Sequence, residues 1–315
     1  MKIAVIGAGP AGMSCANALL SFGLEPVVIE RADHVGGIQH ANFHPNLWML
    51  GMPGETGIGI TERLARHYFE LPIVTHLQAD ILAVERAVGG FRLSLRNREG
   101  EHELAVTAIV LATGSQPRSS RELAVLARQS DRVIIGPLSE TIRDGIRASR
   151  VLILGGGDNA LDHALFLAER GNRVTVCTRR EYSARRQFQA ACATRPEIEL
   201  RRACVPAALA ARPQAISVTW NGDTEDYDWL LAMYGYEPNT GVLARFDPAI
   251  RPRLAASGHI HVERGQRTSV AGIYAAGDVT DCVQPSVPTA IAQGLTTAKS
   301  VEQDQSLAQA STQST

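Results

Sequence analysis

Two clusters of glycine, each followed at a distance by a charged residue, are the groups in this 315-residue chain best suited to phosphate and ribose chemistry. The first is Gly7-Ala8-Gly9-Pro10-Ala11-Gly12, and the second is Gly155-Gly156-Gly157-Asp158-Asn159-Ala160. Glycines at this spacing allow a tight turn, close backbone approach to a pyrophosphate and close helix–strand packing, with the phosphates at a positive helix N-terminus. Glu30 stands 23 residues beyond Gly7 and suits hydrogen bonds from ribose hydroxyls while repelling a 2′-phosphate, which favours FAD or NAD in the first site. At the matching place past the second cluster come Thr178-Arg179-Arg180, with Arg185 and Arg186 close behind. An isolated arginine pair is otherwise a solvated feature after a surface strand. Two guanidinium forks where the first unit has its acid read as the receptor of a 2′-phosphate, hence NADPH.

These residues need strands and helices to hold them. Short apolar runs, Ile3-Ala4-Val5-Ile6 and Val151-Leu152-Ile153-Leu154, precede the two clusters, and helix-like segments follow them to Gly23 and Gly171. Second strands, Pro26–Ile29 and Arg173–Cys177, lead to Glu30 and to Thr178. The spacing predicts an α/β chain with two Rossmann-like units. Thr61 to Phe69 reads as a helix capped by Thr61. From Ile73 to Leu111, alternating apolar residues broken at Gly89-Gly90 and Glu99-Gly100 predict a β-meander. The chain crosses near Gln116-Pro117 into the second unit and returns through Tyr234 to Pro238, so the NADPH domain, 117–239, is inserted in a discontinuous FAD domain, 1–116 and 240–302. Residues 303–315, mostly Gln, Ser, Thr, Ala and Asp, predict a disordered tail.

The order of motifs resembles the flavoproteins of the thioredoxin reductase type, class II of the pyridine nucleotide-disulfide oxidoreductases, over residues 1 to about 302. The matching pieces are Gly7–Gly12, Glu30-Arg31, Gly36-Gly37, Ala112-Thr113-Gly114, Gly155–Ala160, Arg179-Arg180, Tyr236–Thr240 and Ala275-Ala276-Gly277-Asp278-Val279. The resemblance implies FAD at Gly7, Gly9, Pro10, Ala11, Gly12, Glu30, Arg31, Gly37, Ala112, Thr113, Gly114, Gly277 and Asp278. It implies NADPH at Gly155, Gly157, Asp158, Asn159, Ala160, Arg179, Arg180 and Arg185, and a homodimer as the assembly.

One departure decides the chemistry. Thioredoxin reductases carry a Cys-x-x-Cys pair ahead of the second fingerprint, where this chain reads Arg132–Ser139 without sulfur. The five cysteines, Cys15, Cys177, Cys192, Cys204 and Cys282, include no such pair. Reduced flavin therefore has no dithiol through which to pass electrons by thiol–disulfide exchange. The expectation is an NADPH-dependent FAD oxidoreductase serving another acceptor. Ferredoxin–NADP reductases of the same architecture also lack the dithiol and set an aromatic ring against the flavin from about the loop 38–54, which makes Phe43 and Trp48 candidates. Those enzymes, however, usually carry a structured C-terminal extension. Ferredoxin or flavodoxin, a small organic oxidant such as a quinone, or oxygen, and a non-catalytic flavin-binding sensor or partner protein are the three readings of the acceptor side. Cys282, four residues past Asp278, is either a redox-active thiol near the flavin or a small packing residue.

Composition removes other classes. The chain is 45% hydrophobic and carries 31 basic against 32 acidic residues, which argues against nucleic-acid or membrane-surface binding. His34, His40 and His44 sit near one another in the sequence with no Cys or carboxylate at ligand spacing, and no metal is expected. No apolar run approaches the ~20 residues of a membrane helix, and scattered cysteines predict a cytoplasmic protein.

Overall fold

The computed structural model describes residues 1–46, 49–281 and 284–313. The chain divides into two compact units, one made of Met1–Gln116 and the stretch from Pro238 onward, the other of Pro117–Glu237.

The first unit begins with β1 (Lys2–Ile6), α1 (Pro10–Ser21) and β2 (Glu25–Ile29), continues through α2 (Gly57–Phe69) and β3 (Val74–His76), and then forms β4 (Asp80–Ala87), β5 (Gly90–Asn97), β6 (Gly100–Val106) and β7 (Ala108–Leu111). After the second unit it adds β18 (Ile273–Ala275) and α6 (Val287–Gln313). Five strands make a parallel sheet in the order β18-β7-β1-β2-β3. Its central strands are apolar and buried beyond the exposed Lys2 and Glu25 at which β1 and β2 begin, because both faces are covered. Ile3 and Val5 face α1 and α6, while Ala4 and Ile6 face the antiparallel sheet β4-β5-β6. The meander is thus shorter than the alternation suggests: Val74–His76 and Ala108–Leu111 pair in parallel with the main sheet.

The second unit comprises β8 (Ser115–Pro117) at its entry, α3 (Arg121–Gln129), β9 (Val133–Ile135), β10 (Arg150–Leu154), α4 (Asp158–Ala168), β11 (Arg173–Cys177), α5 (Arg186–Ala193), β12 (Ile198–Arg201), β13 (Ala208–Ala211), β14 (Ile216–Trp220), β15 (Asp223–Tyr227), β16 (Trp229–Ala232) and β17 (Tyr236–Pro238) at its exit. Its parallel sheet runs β12-β11-β10-β16-β9, and a second three-stranded antiparallel sheet, β13-β14-β15, joins it.

Two local expectations need correction. Helix α2 starts four residues earlier than the sequence suggests, capped by Thr56, whose Oγ1 accepts the Gly59 N–H at 3.1 Å. Thr61 is instead inside the helix and 1% exposed, its methyl filling the space beside Gly36. The polar stretch read as a disordered tail from 303 continues α6 as far as Gln313. It contains no glycine or proline to break a helix already packed on α1. Asp304 also fastens it, accepting from Arg267 Nε and a terminal guanidinium nitrogen at 2.9 and 2.8 Å and from the Tyr274 hydroxyl at 2.7 Å.

The hydrogen bonds from Arg267 hold the Asp304 carboxyl below its ordinary range. A lowered folded pKa means the stabilisation is present above the unfolded value of about 3.9 and is lost as pH falls through the folded one. Asp304→Asn is therefore expected to speed amide hydrogen exchange near residues 300–307 by about fivefold at pH 7, a loss of about 1 kcal/mol for a half-exposed bidentate pair. At a pH below the folded value the difference between variant and parent should vanish.

Candidate dinucleotide-binding sites

In the first unit the chain leaves β1 through Gly7, whose φ of +106° no other residue adopts cheaply. A Cβ there would sit 2.4 Å from the Ala112 carbonyl oxygen, and one on Gly12 would sit 1.9 Å from the Gly7 carbonyl oxygen. Gly9 differs. Its backbone is ordinary (φ −71°, ψ −179°), and the nearest atom to an added Cβ is the Gly37 Cα at 3.9 Å. Gly9 and Gly37 therefore pack backbone to backbone, and a Cβ on Gly37 would lie 3.2 Å from Gly9 Cα. Pro10 opens α1 at the position where a missing N–H costs nothing, and no side chain caps the helix. The N–H groups of Ala11 and Gly12 are left facing outward with the positive end of the helix dipole, a ready anion site.

Glu30 lies at the C-terminal edge of β2. Its two carboxylate oxygens accept the Ala8 and Ala32 N–H groups at 2.7 and 2.8 Å. Each oxygen retains a lone pair for a further donor, as ribose hydroxyls would provide. Gly36 donates to the Ala8 carbonyl at 2.8 Å, which fixes the Gly36-Gly37 turn against the glycine loop. Arg31 is exposed beside it.

Ala112-Thr113-Gly114 leaves β7 next to this loop. Thr113 Oγ1 donates to the Asn239 carbonyl at 2.7 Å, and Asn239 answers with its own N–H to the Gly114 carbonyl at 2.9 Å. Gly277, at φ +81°, brings its turn to the start of α1: a Cβ there would lie 2.9 Å from Ala11 Cβ. The Gly277 N–H donates to Gln293 Oε1 at 2.6 Å, which also takes the Thr280 hydroxyl at 3.4 Å. Asp278 is partly buried, and burial raises its carboxyl pKa against the opposing effect of the Ser115 hydroxyl, which among the described residues hydrogen-bonds to it at 3.5 Å. A desolvated carboxylate with one long hydrogen bond suits a ligand donor. The residues of the first candidate site thus converge at the C-terminal ends of β1, β2, β7 and β18, where open parallel sheets bind ligands. Asn239 and Gln293 hold this end together and were not among the expected site residues. Gln293 is placed by the packing of α6 on α1, where Gly294 permits an approach that would leave its Cβ 2.3 Å from the Ala11 carbonyl oxygen.

Phe43 is half-buried, with its ring 4.4 Å from that of His44, in a segment tied to the start of α2 by the hydrogen bond from Ile58 N–H to the Asn42 carbonyl. Trp48 and Cys282 lie outside the described residues.

The second unit repeats the plan. Gly155, at φ +155°, would carry a Cβ 2.3 Å from the Met233 carbonyl oxygen, and Gly157 would meet only Ser183 Oγ, at 3.9 Å. Gly157 precedes α4 without a side-chain cap. Ala160 is fully buried under the turn, whereas Asn159 faces solvent. The loop after β11 is strapped to this turn: Ser183 and Ala184 N–H groups both donate to the Gly156 carbonyl, at 2.9 and 3.0 Å. Asp158 accepts the Arg185 N–H and its guanidinium Nε, each at 2.7 Å. Arg185 is thereby engaged as a tie between loop and helix. Arg179 and Arg180 are exposed, and among the described residues neither forms an ion pair. With Arg186, which is exposed and likewise forms no ion pair among the described residues, they are cations left for an anionic ligand.

The family model of pyridine nucleotide-disulphide oxidoreductases matches residues 1–294. A ferredoxin–NADP reductase of Ignicoccus hospitalis is 28% identical over 306 residues, covering 92% of this chain and 93% of that protein. One from Limosilactobacillus fermentum is 28% identical over 288 residues, covering 88% and 84%. Among solved structures, Lactococcus lactis thioredoxin reductase superposes with a TM-score of 0.79 at 20% identity over 96% of this chain and 98% of that one. The T. acidophilum thioredoxin reductase gives 0.78, also at 20%, over the same shares of the two chains. Among the described residues no helix is long and apolar enough to cross a membrane.

Proposed function

The chain belongs to the pyridine nucleotide-disulphide oxidoreductase family, and from that premise we propose that it carries electrons from NADPH through FAD to a small redox protein of the ferredoxin or flavodoxin kind. The observation that carries this reading is a pair of open glycine cradles with opposite partners, Glu30 in one and two unpaired arginines in the other, in a chain without Cys-x-x-Cys. The curated relatives named above support the protein acceptor.

FAD fits the first site. The outward N–H groups of Ala11 and Gly12 would hold its pyrophosphate, Glu30 its adenosine ribose, and Asp278 a donor from the ribityl side. Gly9 and Gly37 would keep the backbone close to the phosphates. Flavin, when bound, supplies acceptance of a hydride from a nicotinamide and its delivery as electrons onward. The chain's own part is orientation, charge and exclusion of water. Glu30 would repel a 2′-phosphate from the flavin site, while Arg179 and Arg180 would favour it in the other. The same reading includes a cytoplasmic location, supported by the scattered thiols, and a homodimer, which sedimentation velocity tests directly.

The purified protein is expected to be yellow, to bleach on anaerobic addition of NADPH, and to reduce cytochrome c at least about tenfold faster when ferredoxin or flavodoxin is added. A small aromatic disulfide offered in place of the protein carrier should be reduced no faster than by oxygen-exposed controls. Rapid disulfide turnover, or indifference to both carriers, would overturn the proposed acceptor.

A further inference from the structure

The absence of Cys-x-x-Cys in the sequence does not leave every thiol isolated in the fold. Cys177 ends β11 and is 3% exposed. Cys204 follows β12, and the loop there turns back so that the Cys204 N–H donates to the Thr178 carbonyl at 2.9 Å. The Cys204 carbonyl oxygen in turn lies 2.8 Å from Cys177 Sγ. The backbone of one cysteine is thus clamped against the side chain of the other. Tyr182 closes the cluster from below, its hydroxyl donating to the Val176 carbonyl at 2.8 Å. Burial, followed by the neighbouring Cys204 thiol, pushes the Cys177 thiol pKa up. Cys204 is the partly exposed member and the one a solvent oxidant reaches first.

The position of this pair matters more than its existence. Thr178 stands between Cys177 and Arg179, and its carbonyl is the acceptor for Cys204. Any movement of Cys204 toward Cys177 therefore pulls on the first residue of the loop that carries Arg179 and Arg180.

We propose that Cys177 and Cys204 close to a disulfide when a peroxide oxidises the protein, and that this bond displaces Thr178–Arg180 and lowers affinity for the coenzyme. The Cys204 sulfur attacks the peroxide, the O–O bond breaks, water or an alcohol leaves, and Cys204 becomes a sulfenic acid. The Cys177 sulfur then attacks the Cys204 sulfur, and the displaced hydroxide takes the Cys177 proton and leaves as water. Two electrons pass from the thiol pair to the peroxide. An S–S bond of about 2.05 Å is far shorter than a van der Waals contact between sulfurs, so the Cys204 loop must tighten to form it. The consequence for the coenzyme rests on the reading of Arg179 and Arg180 as the phosphate receptor.

The test uses the flavin-loaded protein, reduced with dithiothreitol or treated with hydrogen peroxide and desalted. Non-reducing peptide mass analysis should find the Cys177 and Cys204 peptides joined, lighter by about 2 Da than their sum. The NADP⁺ dissociation constant, read by calorimetry, should rise by at least about tenfold on oxidation and recover on reduction. Cys204→Ser should bind NADP⁺ as the reduced parent does and ignore peroxide, while Cys192→Ala should respond like the parent. Peroxide that leaves both thiols open to alkylation, or joins either to another cysteine, overturns the proposal. So does a joined pair with NADP⁺ affinity unchanged. A reduced protein that ignores NADP⁺ overturns the coenzyme reading and the brake with it, while the joined peptide is read by mass without any coenzyme.

Discussion

Replacing Arg179 and Arg180 together by alanine is expected to lower kcat/KM for NADPH by about 100- to 1000-fold while changing that for NADH by less than about threefold. Each charge-assisted hydrogen bond to a phosphate contributes about 1.5–3 kcal/mol, and exposure to solvent places these two toward the lower end. Two of them give about 3–4 kcal/mol, and each 1.4 kcal/mol is about tenfold. NADH lacks the 2′-phosphate, so the same truncation removes nothing it uses. The neighbouring Arg185 provides the contrast. Its guanidinium is held by Asp158, so Arg185→Ala would unpair a carboxylate at the start of α4 and loosen the strap onto Gly156. That loss is expected to fall on both coenzymes alike. Steady-state kinetics with NADPH and NADH on the two variants distinguishes the roles. Equal losses for both coenzymes in the Arg179/Arg180 variant would place the 2′-phosphate elsewhere.

How much of this was readable from the sequence follows from how local each requirement is. Gly7 and Gly155 announce themselves because a left-handed backbone is a property of one residue. The core strands announce themselves because strands covered on both faces must be apolar throughout. Strands β13 and β15 escaped notice: Ala-Leu-Ala-Ala and Asp-Thr-Glu-Asp-Tyr have little intrinsic β preference, and their pairing is decided by β14 between them. The choice of Thr56 over Thr61 as cap depends on the hole beside Gly36, a contact between residues 25 apart in the chain. Composition suggested a loose tail from residue 303, yet Asp304 finds Arg267 and Tyr274 at separations of 37 and 30 residues. Asn239 and Gln293 belong to the candidate site through partners 126 and 16 residues away. What a single sequence hides is the pairing of distant polar groups, and the thiol pair at Cys177 and Cys204 is one more instance.

The glycine loops offer the sharpest separation of folding from binding. Gly7→Ala places a Cβ 2.4 Å from a backbone oxygen at a φ of +106°, so the protein itself must distort. A cost above about 3 kcal/mol is expected, with little soluble protein recovered. Gly9→Ala meets no atom closer than 3.9 Å and has an ordinary backbone, so the flavin-free form should still fold, within about 1 kcal/mol of the flavin-free parent, because the loss of an N-cap glycine offsets the gain from reduced chain entropy. Its methyl instead occupies the space into which a pyrophosphate would come, and flavin affinity is expected to fall by at least about 100-fold, leaving a colourless but folded protein. Gly157→Ala repeats the logic in the second unit, where the nearest neighbour is Ser183 Oγ at 3.9 Å. That variant should stay yellow while its flavin no longer bleaches with NADPH at concentrations that saturate the parent. Circular dichroism, the absorbance of the purified proteins and anaerobic NADPH titration read the three results independently. A yellow Gly9→Ala protein would mean that the flavin's phosphates do not approach the backbone at Gly9.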